Sequence, residues 1–340
     1  MKDKTAALVI IILCIISVLV GIINSSKFAV NKASGKYTDK RSGLGSLFTN
    51  KVALITLEGA ISASTTSSDF ISKSNSAAGV LKSIKKAIDD KTVKAVVLRI
   101  NSPGGTPAMS QEIFNSLLAL RAKKPVVISM ADVAASGAYY IAAAGDRIFA
   151  DASTITGSVG VIMHSFNVQD LMAQKLGIKS LVIKSGKYKD IASPYRETTA
   201  DEKAMLQGII SETYNQFISD IILGRVNRKD NYPILKTDLT VLNLKKYSDG
   251  RIMTGSTAQK LGFVDKIGDG YEAQDAAKKM AKFKFGLISE NIPVVSYNSP
   301  SGLSELILNL SEKAFSAQDL FTKTIPARVK HPNQPLFLWE

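Results

Sequence analysis

Two apolar runs with almost no polar alternation are the feature that most constrains the fold of this chain. Residues 95–100 read AVVLRI and residues 125–130 read PVVISM. Each run passes into a turn of small residues and then into a segment whose apolar residues have helical spacing. Strands of a parallel sheet are covered by helices on both faces, so they are apolar along their whole length. The pattern predicts an α/β fold around a buried, largely parallel sheet. Further strands are predicted at 52–57, 147–150, 158–163 and 180–184.

The second run leads into the nonapeptide DVAASGAYY at residues 132–140. Ser136 lies at the junction between the strand and a predicted helix at 138–144, and Gly137 follows it directly. A serine on such a turn is exposed at the strand tip, close to the positive end of the next helix, which suits a nucleophile whose attack creates an oxyanion. The alternative is a serine that only caps the helix. The nonapeptide alone leaves both interpretations open.

A nucleophilic serine needs a base. The chain has two histidines, His164 and His331, and neither has a sequence context that indicates a Ser-His-Asp arrangement. The other candidates are Lys187 and Lys189, which lie on a glycine turn after the predicted strand 180–184. A lysine has a pKa of about 10.4, so a base role requires burial or nearby positive charge. Each lysine would lower the pKa of the other, and a solvated lysine loop is the alternative.

A second glycine turn, NSPGG at residues 101–105, lies between a predicted strand and a predicted helix. Backbone N–H groups at Gly104 or Gly105 would face an oxyanion, because a glycine has no side chain to obstruct the approach. The turn lacks the Gly-Lys-Ser/Thr ending of a phosphate-binding P-loop, and an ordinary tight turn is the alternative. The only cysteine is Cys14, and no paired histidine–glutamate motif occurs, so we expect neither a metal site nor a cofactor.

The N-terminal segment is aliphatic from residue 6 to residue 23, with no charge between Lys4 and Lys27. That length is sufficient for a transmembrane helix, and it is long for the apolar core of a cleaved signal peptide. Basic residues follow the span, so a simple count would keep the C-terminal side in the cytoplasm, although large domains translocate regardless of such charges. The net charge is +14, but the lysines are scattered and no nucleic-acid-binding motif occurs. We therefore expect a membrane anchor and no nucleic-acid partner.

Four motifs, taken together and in order, resemble the bacterial signal peptide peptidase A family in its short, membrane-anchored form. They are NSPGG at 101–105, AASGAYY at 134–140, TGSVG at 156–160 and GKYK at 186–189, and the segment from Gly250 to Asp265 resembles the closing segment of the family. The resemblance covers residues 52–280 and the N-terminal anchor. It implies an α/β fold of the crotonase/Clp-protease-like type, with repeated ββα units and an N-terminal transmembrane helix.

The resemblance also implies roles for individual residues. Ser136 corresponds to the nucleophile of a Ser/Lys dyad and Lys189 to its general base. Ser158 corresponds to a second serine that orients the lysine. The amide of Gly137, with that of Gly104 or Gly105, corresponds to the oxyanion hole, and Lys187 remains a rival base.

The function that the resemblance implies is a membrane-anchored serine endopeptidase that degrades residual cleaved signal peptides and other unfolded apolar peptides. It further implies a ring-shaped homo-oligomer, a single-pass location in the cell membrane and a catalytic domain on the extracytoplasmic side. The expected division of the chain is a short cytoplasmic N-terminus (1–5), a transmembrane anchor (6–24), a linker (25–50), a Ser/Lys peptidase domain (51–285) and a C-terminal tail (286–340) with an inter-subunit or regulatory role.

Two other functions are compatible with the same fold class. A crotonase-like acyl-CoA enzyme would use the glycine turns for a thioester oxyanion, but no paired carboxylates lie near these turns. A non-catalytic membrane-anchored scaffold would not need Ser136, Ser158 and Lys189 together. The sequence therefore favours the peptidase.

Overall fold

The computed structural model describes residues 49–63, 75–227 and 239–298. All of them belong to the second of two compact units, which begins at Gly45. The predicted span at 6–24 and most of the predicted tail lie outside the described residues. Within the described ranges, no helix has both the length and the apolar character that a membrane crossing requires.

The described residues form eight strands and seven α-helices. The strands are β1 (Lys51–Glu58), β2 (Val93–Ser102), β3 (Val126–Ala135), β4 (Arg147–Ala150), β5 (Ile155–Gly157), β6 (Ile252–Thr254), β7 (Lys266–Ile267) and β8 (Val294–Ser296). The helices are α1 (Ala77–Asp89), α2 (Pro107–Lys123), α3 (Gly137–Ala142), α4 (Ala200–Ile221), α5 (Val241–Tyr247), α6 (Gly255–Lys260) and α7 (Gly270–Phe285). Two short π-helical turns occupy Leu171–Lys175 and Ile222–Val226.

One mixed sheet contains all eight strands, and most of its pairings are parallel. Its main order is β6-β5-β3-β2-β1-β8, with β4 beside β3 and β7 beside β4. Only the pairing of β5 with β6 is antiparallel. The predicted α/β fold with a largely parallel sheet is therefore confirmed.

Helices cover both faces of the sheet, which explains the apolar runs. On one face, Ile55 and Leu98 belong to the larger buried cluster, together with residues of α1, α2 and α3. On the other face, Val97 and Val127 pack with α7, whose buried residues include Ala277. Neither face of the central strands meets water, so polar alternation is absent.

Strand β3 changes partner along its length, and this places its end beside β5. Its first half pairs with β4, and residues 133–135 pair with β5. The pairing with β2 is irregular between Ile100 and Ser102, and there the Asn101 side chain accepts a hydrogen bond from the Val133 N–H (3.1 Å). The side chain thus replaces a missing ladder bond just before Ser136.

Two predicted strands are wrong. The run at 158–163 is not a strand, because β5 ends at Gly157 and Ser158 has a φ of 49°. The run at 180–184 has no regular structure, and Leu181 and Ile183 are 86% and 91% exposed. An extended apolar segment becomes a strand only where a neighbouring strand satisfies its backbone groups, and none does so for 180–184 among the described residues.

The beginning of the predicted tail joins the sheet. Strand β8 lies parallel to β1 at the sheet edge. Beyond it, the Asn298 side chain accepts from the Thr56 N–H (3.0 Å) and donates to the Thr56 carbonyl oxygen (2.6 Å). The amide group of Asn298 extends the contact between β8 and β1 by two further residues, to Thr56.

Candidate active site

Ser136 occupies a strained turn between β3 and α3. Its φ of 54° and ψ of −119° are rare for a residue other than glycine, and such a conformation costs about 1–3 kcal/mol. Two backbone hydrogen bonds hold it: the Ser136 N–H donates to the Gly157 carbonyl (2.8 Å), and the Ser136 carbonyl accepts from the Tyr140 N–H (2.9 Å). The side chain makes no capping hydrogen bond. Ser136 therefore occupies the N-cap position of α3, but its hydroxyl does not cap the helix.

The Ser136 hydroxyl is buried and has no hydrogen-bond partner among the described residues. Only 1% of the residue is exposed. Leaving a buried hydroxyl unpaired costs about 1–3 kcal/mol, so such groups are rare in native structures and call for an explanation. The unpaired hydroxyl is explained if Ser136 is the reactive group and its hydroxyl forms a hydrogen bond only in the working enzyme.

Ser158 lies next to Ser136 because of the register between β3 and β5. Ala135 pairs with Gly157, so the two serines directly follow paired residues of strands that lie about 4.8 Å apart. Ser158 is buried, has a positive φ, and donates its N–H to the Arg251 carbonyl (2.8 Å). The structure therefore brings together two of the serines that the sequence indicated.

In the glycine turn after β2, the hydrogen bonds of Gly104 differ from those of Gly105. The Gly104 N–H donates to the Ser102 hydroxyl (3.1 Å), and the Gly104 carbonyl accepts from the Ile61 N–H (2.8 Å). The Gly105 N–H meets no acceptor within the described residues. A Cβ on Gly105 would lie 1.9 Å from the Ile61 carbonyl oxygen, so only glycine fits there.

Within the described ranges, the amide of Gly137 is the second donor at this edge that has no acceptor. Gly137 is the first residue of α3, and the first N–H groups of a helix have no partner within it. Because Ser102 pairs with Ala134, the glycine turn and the Ser136 turn leave neighbouring strands at the same edge of the sheet. Gly105 rather than Gly104 is thus the donor that is free to act with Gly137.

The three lysines near the GKYK motif differ in their partners. The Lys187 ammonium contacts the Asp201 carboxylate at 2.9 Å and lies 4.9 Å from the centre of the Tyr188 ring. The hydrogen bond with Asp201 raises the pKa of Lys187, which is the opposite of what a base requires. Lys184 pairs with Asp190. The Lys189 ammonium forms no hydrogen bond or ion pair with any described residue.

Ser136 and Lys189 do not form a hydrogen bond within one copy of the chain. Lys189 is exposed, and the Ser136 hydroxyl has no partner among the described residues. The exposed His164 is not hydrogen-bonded to Ser136 either, and His331 lies outside the described residues. Among the described residues, the fold of one copy therefore assembles the serines and glycines, and none of Lys187, Lys189 and His164 is hydrogen-bonded to Ser136.

Several residues that support the Ser136 turn were not identified from the sequence. The Tyr139 hydroxyl donates to the Phe263 carbonyl (3.1 Å), and Tyr140 donates to Asp220. Burial raises the pKa of both tyrosines, so both stay protonated as donors. The first contact ties α3 to the segment from Gly250 to Asp265, which the sequence marked only as a motif, and the second ties α3 to α4.

A buried ion pair lies behind this support. Arg225 donates to both carboxylate oxygens of Asp265, each at 2.8 Å, and to the Gly262 carbonyl (3.1 Å). The two side chains are 0% and 1% exposed.

No cluster of three histidine, cysteine, aspartate or glutamate side chains suited to a metal ion occurs in the described part of the chain.

Comparisons with known proteins agree with this geometry. The model of peptidase family S49 matches residues 119–284, which include Ser136, Ser158 and Lys189. A Synechocystis sp. protein with a provisional protease name is 37% identical over 74% of this chain and 81% of its own length.

Two other relatives have more specific names. An Enterococcus faecium protein, provisionally named signal peptide peptidase SppA, is 32% identical over 71% of this chain and 66% of its own. A chloroplastic Arabidopsis thaliana protein named serine protease SPPA is 29% identical over 65% of this chain and 31% of its own. These matches indicate a serine peptidase rather than an acyl-CoA enzyme or a scaffold. With its motifs, its fold and these relatives in agreement, the chain belongs to peptidase family S49.

Proposed function

We propose that this protein is a serine endopeptidase in which Ser136 is the nucleophile and Lys189 the general base. The observation that carries the proposal is the strained, buried and unpartnered hydroxyl of Ser136 beside Ser158. Lys189 is favoured over Lys187 because Asp201 holds the Lys187 ammonium, whereas the Lys189 ammonium has no partner among the described residues.

The reaction follows from these groups. The neutral amine of Lys189 accepts the Ser136 proton while the serine oxygen attacks the scissile carbonyl carbon. The amides of Gly105 and Gly137 donate to the oxyanion. The lysine then gives the proton to the departing amine, and water releases the acyl group by the reverse sequence of proton transfers. The Ser158 hydroxyl donates to or accepts from the lysine nitrogen and orients it.

The working enzyme is proposed to be a ring-shaped homo-oligomer. Lys189 belongs to an arm, defined here as residues 161–199, that exposes an unusual number of large apolar side chains. Those more than half exposed are Phe166, Leu171, Leu176, Ile178, Leu181 and Ile183. Contiguous exposed apolar surface marks an interaction site. A second copy that covers the arm would bury Lys189 and supply the Ser136 that it serves.

The substrates are proposed to be residual cleaved signal peptides and other unfolded apolar peptides. The support is the name of the Enterococcus relative and the aliphatic segment at residues 6–24, which would anchor the enzyme in the cell membrane. A catalytic domain on the extracytoplasmic side is proposed from the resemblance of the motifs alone. The crotonase/Clp-protease-like arrangement of repeated ββα units is also proposed, and the change of partner along β3 supports it.

Peptide cleavage by the full-length protein in detergent tests the dyad. We expect Ser136→Ala and Lys189→Ala to lose cleavage by at least about a thousandfold, as for other catalytic pairs. Lys187→Ala is the matched control, and we expect it to keep wild-type activity. An active Lys189→Ala variant would rule out the dyad.

Mixing the two inactive variants tests the shared site. If one copy supplies Ser136 and its neighbour Lys189, a mixed ring contains about one intact site in four, because the ring interface joins different surfaces of the two copies. Cleavage should return to about a quarter of the wild-type rate. Continued inactivity of well-assembled mixed rings would show that each copy completes its own site.

A further inference from the structure

We propose that Arg196 is a positioning residue that fixes Lys189, by fastening the neighbouring Asp190 to the beginning of α4. This inference rests on the proposed role of Lys189 as the general base. It applies whether Lys189 serves its own copy or an adjacent one, because all the contacts lie within one chain.

The first half of the clamp is the contact between Arg196 and Asp190. The Arg196 Nε donates to Asp190 Oδ2 (2.9 Å), and Arg196 Nη2 donates to Asp190 Oδ1 (2.8 Å). The same Nη2 also donates to the Asp190 backbone carbonyl (3.0 Å). Both the side chain and the main chain of the residue next to Lys189 are therefore held by one planar guanidinium group.

The second half of the clamp is the contact between Arg196 and Glu202. Arg196 Nη1 donates to Glu202 Oε2 (2.8 Å), and Nη2 donates to Glu202 Oε1 (2.5 Å). Glu202 is buried and also accepts from the Thr199 N–H (2.9 Å) in a capping box that begins α4. The far end of α4 is anchored in the core by Phe217.

These contacts hold the exposed GKYK turn in a fixed position relative to α4. The GKYK turn has little packing of its own, since residues 181–189 are all exposed. Asp190 connects it through Arg196 to Glu202 and thereby to a helix of 22 residues. Bidentate arginine–carboxylate pairs add geometric specificity as well as energy, and a displacement of 1 Å at a catalytic group can reduce the rate about a hundredfold.

The clamp also has an electrostatic consequence. Arg196 and Lys184 hold the pKa of the Asp190 carboxyl well below its usual range, so this anion persists beside Lys189 at every physiological pH. The other charges around the turn are paired, since Lys187 contacts Asp201 and Glu202 contacts Arg196. Without Arg196, the Asp190 carboxylate would keep only Lys184 as a charged partner and would attract the Lys189 ammonium more strongly.

The test is the pH–rate profile of full-length Arg196→Gln and Arg196→Lys in detergent. We expect Arg196→Gln to lower kcat about 10- to 100-fold at neutral pH with little change in KM, and to move the acidic limb of the profile to higher pH. Arg196→Lys keeps the charge without the planar fork, so it should restore the limb but only part of kcat. Adding Asp190→Asn to Arg196→Gln removes the anion that Arg196 no longer neutralises and should return the limb towards wild type. Lys282→Gln breaks an ordinary surface ion pair at 3.2 Å and is the control.

A structural readout separates the outcomes. Hydrogen exchange of residues 184–198 should accelerate in Arg196→Gln while the strands of the sheet remain protected. A wild-type pH profile and kcat in Arg196→Gln would overturn the proposal, as would an unchanged profile in Asp190→Asn should Arg196→Gln fail to fold. If Lys189→Ala stays active while Arg196→Gln loosens the segment, the proposed base is wrong although the clamp exists.

Discussion

Replacing Arg225 with methionine tests whether the buried ion pair supports the Ser136 turn. The substitution removes both 2.8 Å contacts to Asp265 and leaves that carboxylate 1% exposed, with the Ile148 N–H as a remaining donor at 2.7 Å. Stranding one partner of a buried pair typically costs about 3–5 kcal/mol. At about 2–4 °C per kcal/mol for a domain of this size, the unfolding temperature of the full-length protein should fall by about 10 °C.

The double variant Arg225→Met/Asp265→Leu provides the control. Removing both charges avoids the stranded carboxylate and leaves only smaller losses, such as the unpaired Ile148 N–H at about 1–3 kcal/mol. The double variant should therefore be more stable than Arg225→Met alone. Thermal unfolding followed by circular dichroism measures both. An Arg225→Met variant as stable as wild type, or a double variant less stable than the single one, would refute the argument.

Three further predictions concern other parts of the structure. Gly105→Ala should reduce cleavage at least about a hundredfold, which is comparable to the loss of one oxyanion donor. The physical reason is that the new Cβ would lie 1.9 Å from the Ile61 carbonyl oxygen and displace the turn. Wild-type kinetics would exclude Gly105 from the oxyanion hole. Arg196 lowers the pKa of Glu202 to about 2, so this carboxylate stabilises the beginning of α4 fully above about pH 4.3 and progressively less towards pH 2. Limited proteolysis of the arm should increase over that range, and Glu202→Gln should weaken the pH dependence, leaving the part that Asp190 contributes; an unchanged pH dependence in Glu202→Gln would contradict this role. Asn298→Leu loses both hydrogen bonds to Thr56 and should accelerate hydrogen exchange in β8; an unchanged exchange rate would contradict the role of Asn298.

The Ser136 turn shows how the fold maintains strain at a reactive group. The cost of the left-handed conformation is offset by the Gly157 carbonyl on one side and by the tightly held α3 on the other. Strained residues persist only where the surroundings over-determine them. The buried residues around Tyr139 and Arg225 hold Ser136 in this conformation without contacting its hydroxyl.

The sequence by itself predicted those features that depend on local or pairwise patterns. The apolar runs at 95–100 and 125–130 predicted strands buried on both faces, because burial on both sides removes polar alternation. The capping box of Thr199 and Glu202 that begins α4 is a local pattern of the same kind, because both residues of the signal lie within four positions of the chain. The motif order indicated the signal peptide peptidase A family, and the placement of Ser136 at a strand–helix junction followed from the apolar run and the small residues after it.

Only the tertiary structure decided what depends on partners distant in the chain. The run at 180–184 has the composition of a strand but no neighbour to pair with, and the choice between Gly104 and Gly105 depended on the Ser102 hydroxyl. Lys187 and Lys189 are indistinguishable in sequence, yet Asp201 pairs with the first and leaves the second free of partners among the described residues. Hydrogen bonds and ion pairs act over a few ångströms in space, so their partners become known only when the fold brings the groups together.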